Sequence, residues 1–171
     1  MKGIYFMYVP ENEEERQYLE KYDPNKYPKP SVTVDFIVHI DGEGILFVKR
    51  KNFPYRGKWA LPGGFLDVGK ENTLQAAIRE LKEETSLDID PSNIVLEGVY
   101  SDPQRDPRDH VVSIVYSINL PSEYASQVKP EDDAAAAGFV DFNDVKNHTF
   151  SMDNLAFDHK KILEDYFNKR R

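Results

Sequence analysis

The stretch at positions 61–87, LPGGFLDVGKENTLQAAIRELKEETSL, constrains the fold of this chain more than any other part of it. Four apolar residues recur in it with helical spacing: Leu74, Ala77, Ile78 and Leu81. Such spacing predicts a helix with one apolar face that packs against a core. Glu80, Glu83 and Glu84 have the i, i+3, i+4 spacing that brings three carboxylates together on a different face of the same helix.

Three carboxylates on one flank of a helix need an opposite charge when water is excluded from them. Oxygen ligands are those that Mg²⁺ and Mn²⁺ prefer, so a divalent cation would turn this repulsion into attraction. The helix alone leaves a second interpretation open, a solvated face that also carries Arg79 and Lys82. The preceding Pro62-Gly63-Gly64 favours a ligand site over an ordinary turn, because two glycines let the backbone approach a ligand closely.

These residues resemble the Nudix box, G-x5-E-x7-R-E-U-x-E-E-x-G-U, in which U is a bulky aliphatic residue. The matching residues are Gly64, Glu71, Arg79, Glu80, Leu81, Glu83, Glu84 and Leu87. The chain departs from the pattern twice: six residues rather than five separate Gly64 from Glu71, and Ser86 stands where the last glycine usually is. The first departure bears on the salt bridge from Glu71 to Arg79 that the family often shows. The second lies at a helix C-cap, where glycine is favoured but not obligatory.

The resemblance implies an α/β (α+β) fold, a Nudix-type α/β/α sandwich whose mixed central β-sheet lies between the box helix and a C-terminal helix. It also implies Mg²⁺ or Mn²⁺ as the cofactor. The metal ligands that it implies are the carbonyl of Gly63 and the side chains of Glu80, Glu83 and Glu84. In this scheme Glu83 and Glu84 are also catalytic, and Arg79 steadies the carboxylates.

Two further stretches, YSDPQRDPRDHVVS and SMDNLAFDHKKIL, are similar to the ADP-ribose pyrophosphatase branch of the Nudix proteins and to related sensor domains. That similarity implies hydrolysis of ADP-ribose to AMP and ribose 5-phosphate. Arginine forks can bind phosphate or ribose oxygens, and exposed aromatic rings can contact a base. The predicted substrate contacts are Arg50, Phe53, Tyr55, Arg105, Asp106 and Arg108. On spacing alone, salt bridges within the loop at 101–110 are an equal alternative for its arginines.

An acidic loop at 129–134, KPEDDA, is the predicted source of the general base. In ADP-ribose-type Nudix proteins a comparable loop closes over the site and can activate water. Glu131 is the first candidate for this catalytic role, with Asp132 and Asp133 behind it. The alternative is an ordinary acidic loop or helix N-terminus, where the helix dipole favours negative charge.

Two other functions stay open. One is a regulator's Nudix domain, which senses ADP-ribose or a sugar without hydrolysing it. Many such domains lose box glutamates, whereas Glu80, Glu83 and Glu84 are all present here. The other is a Nudix hydrolase that acts on nucleoside triphosphates, NADH or dinucleoside polyphosphates, since substrate choice resides in loops that the fold does not fix.

The composition of the chain limits the classes of partner and the cellular compartment that we expect for it. A net charge of -8 opposes a nucleic-acid partner, because phosphate binding needs a basic surface. The chain has no cysteine, which excludes a disulfide framework and a thiolate nucleophile. No apolar run approaches the ~18 residues of a membrane span. We therefore expect a cytoplasmic protein with a small-molecule nucleotide substrate and neither a membrane nor a nucleic-acid partner.

The order of predicted elements gives one Nudix domain at 31–171 behind an N-terminal arm at 1–30. The arm carries a short charged helix at 11–21, and its prolines then favour extended chain. The arm could pack on its own domain or exchange across a homodimer. The predicted strands are 31–40, 45–50, 59–61, 93–101, 110–120 and 138–142, and the helices after the box helix are 141–148 and 152–169.

Overall fold

Seven strands form one mixed sheet in the computed structural model, which describes residues 8–131 and 134–170. The strands are β1 (Ser31–Ile40), β2 (Gly44–Arg50), β3 (Trp59–Ala60), β4 (Gly63–Phe65), β5 (Val95–Tyr100), β6 (Val111–Leu120) and β7 (Ala134–Val140). The α-helices are α1 (Glu13–Lys21), α2 (Thr73–Thr85), α3 (Phe142–Lys146) and α4 (His159–Asn168). β1 and β6 are parallel and the other pairs antiparallel, which confirms the expected mixed sheet.

The side chains of β1 alternate between two buried cores, as the pleat of a strand requires. Val34 and Phe36 lie in one cluster with Leu81 of α2, whereas Ile37 lies in the other with Leu163 of α4. Helices therefore cover both faces of the central strand, which explains why its sequence is almost continuously apolar. The expected α/β/α sandwich is confirmed.

The hairpin of β1 and β2 is closed only near its turn. His39 pairs with Ile45 and Ile40 pairs with Gly44 on either side of the turn at 41–43. Farther from the turn, β4 takes the place beside β1, and β3 takes the place beside β2. β7 pairs with β2 from Ile45 to Arg50, along its other edge. The two strands thus diverge, and residues from both of them and from β4 line the cavity described below.

Helix α2 begins and ends as its sequence predicts. The Asn72 side chain accepts a hydrogen bond from the Gln75 N–H, and the Gln75 side chain accepts one from the Asn72 N–H, both at 2.9 Å. This capping box satisfies two backbone donors that a helix start leaves unpaired. Ser86 adopts the left-handed conformation, with φ 61°, at the C-cap position that glycine usually occupies.

Gly63 and Gly64, interpreted from the sequence as a ligand site or an ordinary turn, belong to the short strand β4. Gly63 pairs with Asp35 of β1 at a φ of 159°. A Cβ atom at this position would lie 2.1 Å from the carbonyl oxygen of Val34. Glycine therefore lets the backbone lie against β1 as a strand, a close approach that the sequence pattern did not distinguish from a turn.

The last helix begins later than the predicted range of 152–169. Met152–Asn154 form a 3₁₀ turn, and α4 begins only at His159. The intervening chain is held away from helical geometry, because the Ala156 N–H donates to the Trp59 carbonyl at 2.8 Å and Phe157 has a left-handed φ of 51°. This interruption places the Phe157 side chain on the cavity.

The charged helix predicted near the N-terminus is α1, and no residue of it is buried. The division of the chain into an arm and a domain at residue 30 stays a prediction. Across the described ranges, 8–131 and 134–170, no helix combines the length and the apolar character that crossing a bilayer would need.

Candidate active site

A cavity of about 750 Å³ lies where β1 and β2 diverge, and α2 forms one of its sides. We call Glu80, Glu83 and Glu84, which line it from α2, the acidic flank. Arg79 of α2 also lines it, together with basic and aromatic residues from other segments, among them Arg50, Phe65, Arg105, Arg108, Phe157 and His159. A second cavity of about 840 Å³ lies against β5 and α4 and contains none of the acidic flank.

Glu84 is the most perturbed carboxylate of the acidic flank. Burial raises the pKa of Glu84 to about 8, and the charges of Glu80 and Asp35 act in the same direction. The Gly63 N–H, which donates to Glu84 Oε2 at 2.9 Å, and the charge of Arg50 only partly oppose this rise. An ionised Glu84 therefore lacks sufficient positive charge around it, a state that a bound cation would relieve.

The glycines before the box helix allow β4 to lie against the acidic flank. A Cβ atom on Gly64 would lie 2.5 Å from the carboxylate of Glu80, so a side chain there would displace that group. Gly63 directs its N–H to Glu84. The predicted role of the Gly63 carbonyl as a metal ligand stays a prediction.

Arg79 joins the glutamates of the box. Its guanidinium lies 2.6 Å from Glu71, 2.8 Å from Glu80 and 2.9 Å from Glu83. The extra residue of the box therefore does not break the salt bridge to Glu71; a turn closed from Lys70 N–H to the Asp67 carbonyl accommodates it. Hydrogen bonds from Arg79 lower the pKa of Glu71.

The side chains of the acidic flank have the chemistry to bind a hard divalent cation, but they do not form a complete coordination shell. Among residues 8–131 and 134–170, no three His, Cys, Asp or Glu side chains are arranged to hold a metal ion as they stand. Arg79 contacts Glu80 and Glu83, while Glu84 instead accepts from a backbone amide. All three groups offer oxygen ligands, and burial disfavours the charge of Glu84 unless a cation is present.

A second group of charged and polar side chains, which pair with one another, forms what we call the buried network. Its members are Asp35, Arg105, Ser113, Asp158 and His159. His159 Nδ1 accepts from the Leu61 N–H at 2.9 Å, so its proton resides on Nε2, which lies 3.3 Å from Asp35. Burial alone would raise the pKa of Asp35, but His159, Ser113 and Arg105 hold it below its usual range.

Arg105, a predicted substrate contact, lines the cavity but is already paired within the protein. Its side chain is only 3% exposed, and its fork donates to both carboxylate oxygens of Asp158, at 2.6 and 2.9 Å. Its Nη2 also lies 3.7 Å from Asp35. A buried guanidinium needs such partners, so Arg105 serves the buried network and connects the loop at 101–110 to the start of α4.

Asp106 and Arg108 form the salt bridge that the sequence left as an alternative. Arg108 donates to the two Asp106 oxygens at 3.0 and 2.7 Å, and its N–H donates to Asp106 as well. Burial would raise the pKa of Asp106, yet these bonds hold it low. Both residues line the cavity, but Asp106 is buried whereas Arg108 is partly exposed, so Asp106 orients Arg108. The predicted contact of Asp106 with substrate stays a prediction.

Of the remaining predicted substrate contacts, one lines the cavity and two do not. Arg50 lines the cavity, with its Nε donating to the Pro54 carbonyl at 2.8 Å. Phe53 is 77% exposed and does not line the cavity, and neither does Tyr55, which packs against Phe157.

Glu131 lies at the C-terminal end of α2 and does not line the cavity. It accepts from the Ser86 hydroxyl at 2.6 Å, and its N–H donates to the Glu84 carbonyl at 3.1 Å. The structure thus does not bring this predicted base to the cavity, and its catalytic role stays a prediction. Asp132 and Asp133 lie outside the described residues.

Sequence reasoning missed Asp35, Asp158 and Phe157 as parts of the site. Asp35 did carry a signal, because an acid within the apolar run SVTVDFIVHI must find a partner when the strand is buried. Phe157 and Asp158 carried none, since both fell within a predicted helix.

Comparison with known proteins shows which family the chain belongs to. The family described as NUDIX domain matches residues 29–166. The chain belongs to the Nudix family. The ADP-ribose pyrophosphatase of Methanocaldococcus jannaschii is 44% identical over 154 residues, which cover 88% of this chain and 83% of that protein.

A transcriptional repressor and a solved NUDIX domain are also similar to the chain. The ADPR responsive transcriptional repressor NtrR of Acinetobacter baylyi is 33% identical over 161 residues, covering 90% of this chain and 59% of that protein. The NUDIX domain of Shewanella oneidensis NrtR, solved in complex with ADP ribose, superposes with a TM-score of 0.77 at 26% identity, covering 92% of this chain and 99% of that one.

Proposed function

We propose that this Nudix protein is a hydrolase that cleaves the diphosphate bond of ADP-ribose to give AMP and ribose 5-phosphate. The observation that carries the proposal is the presence of Glu80, Glu83 and Glu84 in one cavity with the cationic side chains of Arg50 and Arg108. The similarity to an ADP-ribose pyrophosphatase over most of both chains supports the choice of substrate.

The chemistry requires that negative charge on the diphosphate be balanced while water attacks. A water oxygen bonds to one phosphorus, the bond from that phosphorus to the bridging oxygen breaks, and the second phosphate leaves. A divalent cation, when bound, neutralises phosphate charge and lowers the pKa of water. Glu80, Glu83, Glu84 and the Gly63 carbonyl would hold Mg²⁺ or Mn²⁺, as Nudix hydrolases generally use divalent ions.

The remaining roles follow from the contacts of each side chain. Arg79 steadies Glu80 and Glu83 through its hydrogen bonds. Arg50 and Arg108 provide positive charge for phosphate oxygens. We retain Glu131 as the base, a role that requires its carboxylate to leave Ser86 and reach the cavity.

ADP-ribose sensing without hydrolysis is the second candidate, and the similarity to the repressor NtrR favours it. The intact acidic flank favours hydrolysis, because a sensor has no need for three carboxylates that repel a phosphorylated ligand in the absence of metal.

Homodimerisation and a cytoplasmic location also stay predictions.

Product analysis tests the proposal. The chain is incubated with Mg²⁺ or Mn²⁺ and, separately, with ADP-ribose, NADH, ATP and diadenosine polyphosphates, and the products are separated by chromatography. We expect AMP and ribose 5-phosphate from ADP-ribose at the highest rate. Binding of ADP-ribose without products would support the sensor, and faster turnover of another compound would change the substrate.

A further inference from the structure

Phe157 occupies a strained position on the cavity. Its φ of 51° lies in the left-handed region, which bulky residues rarely adopt and which persists mainly where surrounding contacts enforce it. Tyr55, with φ 60°, meets it edge to face at 4.9 Å between ring centres. Two aromatic residues in unfavourable backbone conformations thus touch each other beside the proposed substrate site.

The Phe157 ring contacts two guanidinium groups from separate segments. The Arg50 Cζ atom, at the end of β2, lies 4.9 Å from the ring centre, and the Arg108 Cζ atom lies 5.6 Å from it. Arg108 also lies 4.9 Å from the Phe65 ring, so it is held between two aromatic side chains. Such contacts attract a cation to a ring and restrict a long side chain that otherwise loses entropy on binding.

The residues on both sides of Phe157 are anchored, Ala156 through its backbone and Asp158 through its side chain. Ala156 donates to the Trp59 carbonyl at 2.8 Å, and Asp158 pairs with Arg105 at 2.6 Å. These bonds hold the residue between β3 and the buried network, so the ring position is fixed by the fold. Fixed anchors on either side also explain how the left-handed conformation is maintained.

We propose that Phe157 is a positioning residue that holds Arg50 and Arg108 in place for the phosphate oxygens of the substrate. This inference rests on the proposed function and deepens it. Arg50 already acts electrostatically on Glu84, and Arg108 extends from the loop at 101–110. The ring therefore fixes the separation of the two guanidinium groups before substrate binds. Without the ring, a flexible diphosphate would have to order both side chains as it binds, at a cost in entropy.

Steady-state kinetics of Phe157 variants with ADP-ribose tests the proposal. We expect Phe157→Leu to raise KM roughly tenfold and to change kcat less than about twofold, because it removes two cation–ring contacts and leaves the acidic flank intact. Phe157→Gly should raise KM equally while relaxing the backbone, and Phe157→Tyr should restore KM. Tyr27→Leu is the matched control: Lys26 lies over that ring at 5.4 Å, outside the cavity, so KM should not change.

A mutant cycle separates positioning from general packing. In a chain that carries Arg50→Ala and Arg108→Ala, Phe157→Leu should add less than about twofold to KM, because no guanidinium remains for the ring to hold. An unchanged KM in Phe157→Leu, or a full additional increase without the arginines, would overturn the inference.

Failure of the inference differs from failure of the proposed function. If the unmodified chain releases no AMP from ADP-ribose, the hydrolase assignment fails. The same variants are then compared by calorimetric titration with ADP-ribose. A roughly tenfold weaker affinity in Phe157→Leu supports the positioning role, and an equal affinity overturns it.

Discussion

The acidic flank and the buried network lie on the same cavity, yet their charges are balanced in opposite ways. In the buried network Asp35 faces His159, Ser113 and Arg105, and its pKa falls below the usual range despite burial. In the acidic flank, burial instead raises the pKa of Glu84 to about 8. The buried network balances its charges within the protein, whereas Glu84 of the acidic flank needs a cation from outside the protein to be stable in its ionised form.

That difference separates two kinds of functional residue. Balanced buried charges hold segments together, as Arg105 does for the loop at 101–110 and the start of α4. Unbalanced charges in a cavity indicate where a ligand or ion supplies the missing charge. Substitutions in the acidic flank should therefore reduce activity more than stability, and substitutions in the buried network should do the reverse.

The largest effect expected is on turnover in Glu84→Gln. Hydrolysis of ADP-ribose in Mg²⁺ should fall by about 10³-fold or more, because the amide cannot provide the charge that a metal ligand needs. The circular dichroism spectrum should not change. Glu123→Gln, an exposed glutamate outside the cavity, is the matched control and should retain full activity. Unchanged turnover in Glu84→Gln would remove that carboxylate from the mechanism.

The opposite behaviour is expected for Asp35→Asn. Loss of this carboxylate leaves Arg105 and His159 without one of their partners. The free energy of unfolding, measured by urea denaturation in the absence of metal, should therefore fall by about 3 kcal/mol. Asp153→Asn serves as the control, since its pair with Lys160 is exposed and should contribute less than about 0.5 kcal/mol. Equal stabilities of the two variants would mean that the network does not hold the fold.

The sequence predicted the acidic flank but not the buried network. The spacing of Glu80, Glu83 and Glu84 and the capping box of α2 lie within one short segment, where local pattern determines structure. The buried network joins Asp35 to His159, which lie 124 positions apart, so no spacing rule connects them. Phe157 was hidden because contacts between Ala156 and Trp59, rather than local propensity, interrupt the predicted helix.

The dependence of metal binding on pH sharpens the comparison. Without metal, the raised pKa of Glu84 favours its neutral form, so the stability it contributes is complete below its usual pKa of 4.5 and is lost as pH rises through about 8. Metal binding requires the carboxylate and should release a proton below that pH. Apparent Mg²⁺ affinity should weaken roughly tenfold per pH unit below 8. Calorimetry in two buffers of different ionisation enthalpy measures this release; no proton release at pH 6.5 would contradict it.

The smallest effect is expected at the start of α2. Asn72→Ala removes one half of the capping box and should lower the free energy of unfolding by about 1 kcal/mol. Because Asn72 does not line the cavity, kcat should stay within about twofold of that of the unmodified chain. Thermal unfolding and the ADP-ribose assay, run on the same sample, check both values. A large loss of activity without loss of stability would mean that the cap acts on the site itself.

The most direct measurement is the shift in melting temperature that Mg²⁺ causes in the unmodified chain, Glu84→Gln and Asp35→Asn. An ion bound only to the folded state stabilises it by RT ln(1 + c/Kd), where c is the free concentration of the ion, so the rise in melting temperature grows with the ion's concentration and affinity. We predict a clear rise for the unmodified chain, a similar rise from a lower starting point for Asp35→Asn, and little or none for Glu84→Gln. An equal rise in Glu84→Gln would contradict the assignment of the acidic flank as the metal site.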